Sequence, residues 1–175
     1  GTEKIGGDVV RTYMDNVALV VAESEEIAAQ ARDLIRVDYE DLPAVFDPFA
    51  AMEDGAPQLH QNTPNNIITH YRVRKGDMEA GWAGSDVIIE GEYHTGYQEH
   101  AYLQPEAGLS YIDDEGRVTV VVAGQHAHED QHQVARALGL EQDRVRIIYP
   151  AIGGAFGGRE DMSVQIVLAL ATWKQ

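Results

Sequence analysis

The sequence predicts an α+β fold in two parts. Three observations carry this: strand-type apolar runs alternate with stretches of helical periodicity, a proline- and asparagine-rich interval interrupts both, and a glycine-rich turn separates an apolar run from an apolar helical segment. With 175 residues and 44% hydrophobic content, the chain is long enough for one good core or two small ones.

In the first part, Val17 to Val21 is a continuous apolar run of strand type. Ser24 is positioned to cap a helix, with Glu25 and Glu26 in the first turn, where negative charge complements the helix dipole. Ile27, Ala28, Ala31, Leu34 and Ile35 follow at helical spacing, and Arg36 to Tyr39 reads as a returning strand, completing a β-α-β unit. Pro43, Pro48, Pro57 and the run from His60 to Asn66 then disfavour helix and sheet alike, so a linker is expected there.

The second part opens with strand character from Ile67 to Lys75. Asp77 is expected to cap a short helix, and Val87 to Tyr93 alternates as a half-buried strand does. Gly108 to Ile112 and Val118 to Ala123 form a predicted hairpin across Asp113-Asp114-Glu115-Gly116, whose carboxylates are expected to be merely solvated. A helix should begin at or just before His128, with Val134, Ala135 and Leu138 facing the core, and Val145 to Tyr149 reads as a further strand.

Gly153-Gly154-Ala155-Phe156-Gly157-Gly158-Arg159-Glu160-Asp161 follows that strand. Four glycines in six positions permit positive φ and close backbone approach, at about 0.5–1 kcal/mol each in chain entropy. Uncovered N–H groups in such a loop form a concave donor site for oxygen anions, while the Phe156 ring is expected to pack. Nucleotide motifs do not fit. A phosphate loop of the Walker type needs Lys-Ser or Lys-Thr where Arg159-Glu160 stands, and the G-G-x-x-G-G pattern departs from the dinucleotide fingerprint.

Composition removes other classes. Twenty-nine acidic residues against thirteen basic give a charge of −16, which opposes nucleic acid and anionic membranes. No cysteine is present, so this chain holds no disulfide and no cysteine-ligated iron–sulfur cluster. No 18-residue apolar window and no signal-type start occur, and a cytoplasmic protein is expected. His128-Glu129-Asp130-Gln131-His132 matches the H-E-x-x-H zinc pattern, with Glu141, Asp143 or Glu160 as third ligands by spacing and His126 or His100 as further donors. This zinc hydrolase reading is the competing enzyme hypothesis. Its weakness is that both histidines fall in the exposed first turns of their helix.

Four separated motifs resemble the molybdopterin-binding large subunit of the molybdenum hydroxylases, the xanthine dehydrogenase and aldehyde oxidase group. They are Val37 to Val45, Gly96 to Glu106, Ala123-Gly124-Gln125-His126, and Gly153 to Glu160, in the family's order. The resemblance implies that residues 1–56 are the end of an α/β hammerhead lobe. It makes 57–75 a linker and entry strand, and 76–175 the first part of a mixed α+β molybdopterin-binding domain.

By position, the resemblance implies that Gln125 hydrogen-bonds an oxo ligand of the metal, and that Gly154, Ala155, Phe156 and Gly157 form the cofactor-side loop. Glu160 then falls where a glutamate orients a heterocyclic substrate; capping the next helix is its competing role. The implied reaction is hydroxylation of a purine, other N-heterocycle or aldehyde, with oxygen from water and a catalytic glutamate beyond Gln175. Iron–sulfur and FAD domains or subunits would carry the electrons. The chain reads as a fragment, expected to hold no molybdenum and to be inactive alone. A structural or subunit-interaction domain without bound cofactor is the third reading.

Overall fold

A computed structural model describes residues 9–174. They fall into two compact units: residues 36–96 form one, and the segments up to Ile35 and from Tyr97 form the other.

Residues 36–96 are organised by polar side chains acting on backbone. Helix α2, Pro48–Ala51, starts where Asp47 Oδ1 accepts from the N–H groups of Phe49 and Ala50, both at 2.8 Å. Asn66, at the end of a 3-10 turn over Pro64–Asn66, donates from Nδ2 to the carbonyls of Ala51 and Pro57 and accepts at Oδ1 from Leu59 N–H. One amide thus gathers three points of the 51–59 segment. The expected linker therefore contains short helical pieces, because local side-chain caps replace the periodicity it lacks. Helix α3, Met78–Ala83, is capped by Asp77 as expected, with Ala80 N–H donating to Oδ1 at 3.1 Å.

In the other unit, α1 spans Glu25–Asp33 and Ser24 Oγ accepts from Ile27 N–H at 3.2 Å, the cap read from the sequence. Three strands follow: β1 Gly108–Ile112, β2 Val118–Val122 and β3 Val145–Ile148, ordered β1-β2-β3. β1 and β2 form the predicted antiparallel hairpin, whereas β2 and β3 run parallel with Val118 opposite Val145 and Val120 opposite Ile147. A parallel pair needs a crossover, and α4, Ala127–Leu138, supplies it. The sheet is covered by α4, which packs on β3, and by α5, Gln165–Lys174, which packs on β1 and β2. Val118, Val120 and Val122 pack with Val134, Ala135, Val145 and Ala169 as one core, joined at its margin by Leu138.

The expected strands at 17–21, 36–39, 67–75 and 87–93 do not form. Their residues are suited to sheet, yet a strand exists only where a neighbour takes its N–H and C=O groups, and none is adjacent among the described residues. Among those residues no β-α-β ladder flanks α1. The hairpin turn also departs from expectation. Asp113 is not simply solvated: its carboxylate accepts from Glu115 N–H, Arg117 N–H, Arg117 Nε and Thr119 Oγ1, all within 3.0 Å. These donors, the Arg117 backbone N–H foremost, hold its pKa down at about 2.

Candidate functional site

The glycine loop leaves β3 at Tyr149 and returns to the core at Arg159. Its four glycines divide into two kinds. Gly153 and Gly158 are required by crowding, since a Cβ would lie 2.7 Å from Gln104 Cβ in the first case and 2.8 Å from His100 Cγ in the second. Gly154 and Gly157 are required by conformation, with φ of +101° and +88°. Between them the chain turns tightly: Gly158 N–H donates to Ala155 O at 2.9 Å, and Phe156 itself takes φ of +55°. A bulky residue in that region is strained, by roughly 1–3 kcal/mol. The Phe156 ring, expected to pack, stands 77% exposed, with only its edge lying over Gly154, where an added Cβ would meet Cε2 at 3.3 Å.

The segment 100–106 forms the wall behind the loop. Gln104 and Gly153 exchange hydrogen bonds: Gly153 N–H donates to Gln104 Oε1 at 2.8 Å and Gln104 N–H donates to Gly153 O at 3.3 Å. Ala101 adopts φ of +52°, so the wall carries a strained backbone as the loop does at Phe156.

Arg159 joins loop and wall. It is 2% exposed. Its Nε donates to Gly154 O at 3.1 Å, Nη2 donates to Gln104 O at 2.6 Å, and the guanidinium lies 4.0 Å from the Tyr102 ring centroid. Nη1 is 2.9 Å from Glu106 Oε1, an ion pair by distance whose angle falls outside hydrogen-bond geometry. Glu106 is held in turn by the hydroxyls of Tyr102 and Ser163. The Glu106 contact raises the Tyr102 pKa above the ordinary phenol value.

Gln125, the residue after Gly124 beyond β2, meets this assembly through backbone. Its Oε1 accepts from Arg159 N–H at 3.1 Å, and its own N–H donates to Arg159 O at 3.1 Å. With the oxygen engaged, the amide Nε2 is left as donor, on a residue exposed to solvent. Further along the loop, the N–H groups of Gly154, Ala155, Phe156 and Gly157 meet no acceptor among the described residues. Glu160 is exposed and borders the loop, its Oε1 4.0 Å from where a Gly157 Cβ would lie. The alternative capping role is excluded, because α5 begins only at Gln165.

The zinc reading fails on placement. His128 and His132 are exposed on α4, and no group of three histidine or carboxylate side chains suited to a metal occurs among the described residues. Glu141 and Asp143 lie at another turn, Gln142–Arg144 and its flank, while His126 precedes α4 and His100 packs against Gly158. Within the H-E-x-x-H stretch the buried residue is Asp130, fully enclosed, accepting from Tyr149 Oη at 2.6 Å and Gln165 Nε2 at 3.1 Å.

Sequence reasoning missed Arg159, Gln104 and Asp130. Only Asp130 carried a signal: it stands four and eight residues before Val134 and Leu138, on the apolar stripe of α4.

Backbone donors without an acceptor among the described residues, a side-chain amide held by its oxygen, and glycines where a Cβ would collide make this loop suited to an oxyanionic small molecule or cofactor approached through backbone. The model of the molybdopterin cofactor-binding domain matches residues 59–175, and the chain belongs to that family. It is similar to the nicotinate dehydrogenase large molybdopterin subunit of Eubacterium barkeri, with 39% identity over 95% of this chain and 39% of the relative. It also resembles the xanthine dehydrogenase of Dictyostelium discoideum, with 38% identity over 90% of this chain and 11% of the relative. Among solved structures, the aldehyde oxidoreductase from Desulfovibrio desulfuricans superposes with a TM-score of 0.81 and 27% identity, over 95% of this chain and 18% of that one. The chain thus spans well under half the length of these relatives. Among its described residues no helix is long and apolar enough to cross a membrane.

Proposed function

We propose that this chain forms one wall of the molybdenum site in a hydroxylase of the xanthine dehydrogenase and aldehyde oxidoreductase type. The observation that carries the reading is the set of donors at one loop: the N–H groups of 154–157 together with the Gln125 amide, oriented by Arg159. Preorganised neutral donors of this kind stabilise developing oxyanion charge without reorganising. They fit a pterin-bound oxo-metal, which presents oxygen acceptors and excludes side-chain bulk.

The bound group would supply an oxidising centre able to hydroxylate carbon with oxygen from water. Around it, Gln125 donates to an oxygen without adding charge, and Gly154, Ala155, Phe156 and Gly157 line the cofactor side. Phe156 offers an aromatic face to a planar substrate. Glu160, exposed beside Gly157, is assigned to orienting a heterocycle by hydrogen bonding, which favours a purine or related N-heterocycle over a simple aldehyde.

Several parts of this reading extend beyond the loop. Residues 1–56 are assigned to the end of a hammerhead lobe, 57–75 to a connector and 76–175 to the beginning of the cofactor domain. Iron–sulfur and FAD modules are the electron-transfer partners, since a chain without cysteine has no cluster ligands of that kind. A cytoplasmic location completes the proposal.

The test is purification of the full-length protein with its partner subunits from a host that makes the molybdenum cofactor. Expected are stoichiometric molybdenum and turnover of N-heterocycles that falls sharply in Glu160→Gln. Absence of molybdenum, or of turnover across heterocyclic and aldehyde substrates, overturns the reading.

A further inference from the structure

Arg159 is a charged residue in a site built for anions, yet it is almost wholly enclosed. Its side chain retains 1% exposure, so it offers no surface to a ligand at the outer face of the loop. Its groups are directed inward, Nε and Nη2 donating to Gly154 O and Gln104 O and Nη1 forming an ion pair with Glu106, so that two chain segments are held. Meanwhile its backbone N–H and C=O hold Gln125 from both sides.

We infer that Arg159 is a positioning residue: its guanidinium, tied to Glu106, fixes the curvature of the glycine loop and thereby the direction in which Gln125 presents its amide donor. The physical chain is short. The guanidinium anchors Gly154 O and so the loop's entry. It binds Gln104 O and so the wall that Gly153 also contacts. The loop's exit is Arg159 itself, whose N–H can reach Gln125 Oε1 only if the intervening turn keeps its shape. An amide with its oxygen engaged cannot flip without breaking that bond, so its NH2 is kept as the outward donor.

Glu106 is the other half of the device. Its oxygens are held by Tyr102 and Ser163, and Ser163 N–H donates to Gln165 Oε1 at 2.9 Å. Gln165 is 1% exposed and reaches Asp130 through Nε2. The clamp is therefore rooted in the buried polar residues Asp130 of α4 and Gln165 of α5 rather than floating on a surface loop.

That the oriented donor serves a molybdenum oxygen rests on the function proposed above; the positioning itself does not. The experiment is hydrogen exchange by mass spectrometry on the full-length protein, comparing peptides covering 120–127 and 153–161 with one covering 129–138. Arg159→Met is expected to accelerate exchange in the first two by about tenfold or more while the third is unchanged, and Arg159→Lys to restore part of that protection by recovering some of the contacts. A general destabilisation would move all three peptides, and a purely electrostatic role would be fully restored by lysine. Unchanged exchange in Arg159→Met, or uniform change across the three peptides, overturns the inference. Should Arg159→Met fail to fold, Glu106→Gln decides: faster exchange confined to the first two peptides supports the clamp, and unchanged exchange rejects it. Molybdenum content measured on the same samples separates the two claims, since a metal-free protein with this exchange pattern keeps the clamp and loses the functional reading.

Discussion

Tyr149 ties the outgoing end of β3 to Asp130 on α4: the phenol donates to Oδ2 at 2.6 Å, and its hydroxyl fills the space that a Cβ on Gly124 would occupy. The phenol thus lies against Gly124, the residue before Gln125. Burial first, and then the Asp130 carboxylate, push the Tyr149 pKa well above the ordinary phenol range.

Tyr149→Phe is expected to destabilise the fold by about 1–3 kcal/mol, because Asp130 is fully enclosed and would retain only Gln165 as a side-chain donor among the described residues. Urea unfolding at neutral pH measures this. Gly124→Ala should be at least as damaging, since the added carbon would meet the hydroxyl itself.

Alkaline pH provides a second check on the same pair. A group whose folded pKa is raised keeps its full stabilisation below the unfolded value, near 10, and loses it as pH climbs further. Stability should therefore be flat up to about pH 10 and fall beyond it. The fall should shrink in Tyr149→Phe.

At the other end of the scale, Asp113 predicts acid sensitivity of the hairpin. Its folded pKa of about 2 lies below the ordinary 3.8, so its contribution is complete above about pH 4 and disappears as pH drops toward 2. Asp113→Asn should lower the melting temperature at pH 7 and match the parent protein near pH 2. Parallel melting curves across that range test it.

The two kinds of glycine in the loop are separable by rescue. Gly158→Ala introduces a carbon 2.8 Å from the His100 ring and 3.0 Å from Tyr102 Cε1 and should cost about 1–3 kcal/mol, recovered in part by adding His100→Ala. Gly157→Ala meets no atom closer than Glu160 Oε1 at 4.0 Å, so its cost arises from φ of +88°. No neighbouring truncation should restore it, whereas Gly157→Asn should be milder.

For function, Gln125→Glu separates the acceptor from the donor. The carboxylate can still accept from Arg159 N–H, so the fold should persist, while the outward NH2 is replaced by negative charge. Turnover by the assembled enzyme is expected to fall by about two orders of magnitude, the scale of losing one preorganised donor. Steady-state kinetics with molybdenum content matched between samples decides the point.

What the sequence made legible was local. Ser24, Asp47 and Asp77 all act within three residues, and of these Ser24 and Asp77 could be read as caps from their neighbours alone. The hairpin from Gly108 to Val122 is likewise closed by a short turn. The apolar runs at 17–21 and 87–93 show the opposite case. Their composition favours sheet, but pairing is a property of two segments, and composition names only one.

The glycines suggested a donor loop, and Gln125 entered only through the family resemblance; the geometry that sets Gln125 against Arg159 was not legible in either. Arg159 gave no such notice. Arginine is ordinarily a surface residue, and the atoms that enclose it lie 55 positions away at Gln104 and nearby at Glu106. Asp130 was masked by the histidines around it, which point to metal ligation while the carboxylate serves the core.

The reciprocal bonds of Gln104 and Gly153 join points 49 residues apart, and those of Arg159 and Ser163 to the same wall span 55 and 57. Closing a loop of that size loses chain entropy before any contact compensates it, whereas the hairpin closes at small separation. The hairpin and its crossover helix should therefore organise early, and the glycine loop should snap into place near the end of folding. Substitutions at Arg159 or Glu106 would then speed unfolding while leaving the folding rate nearly untouched, so the site governs how long the native chain survives rather than how quickly it is reached.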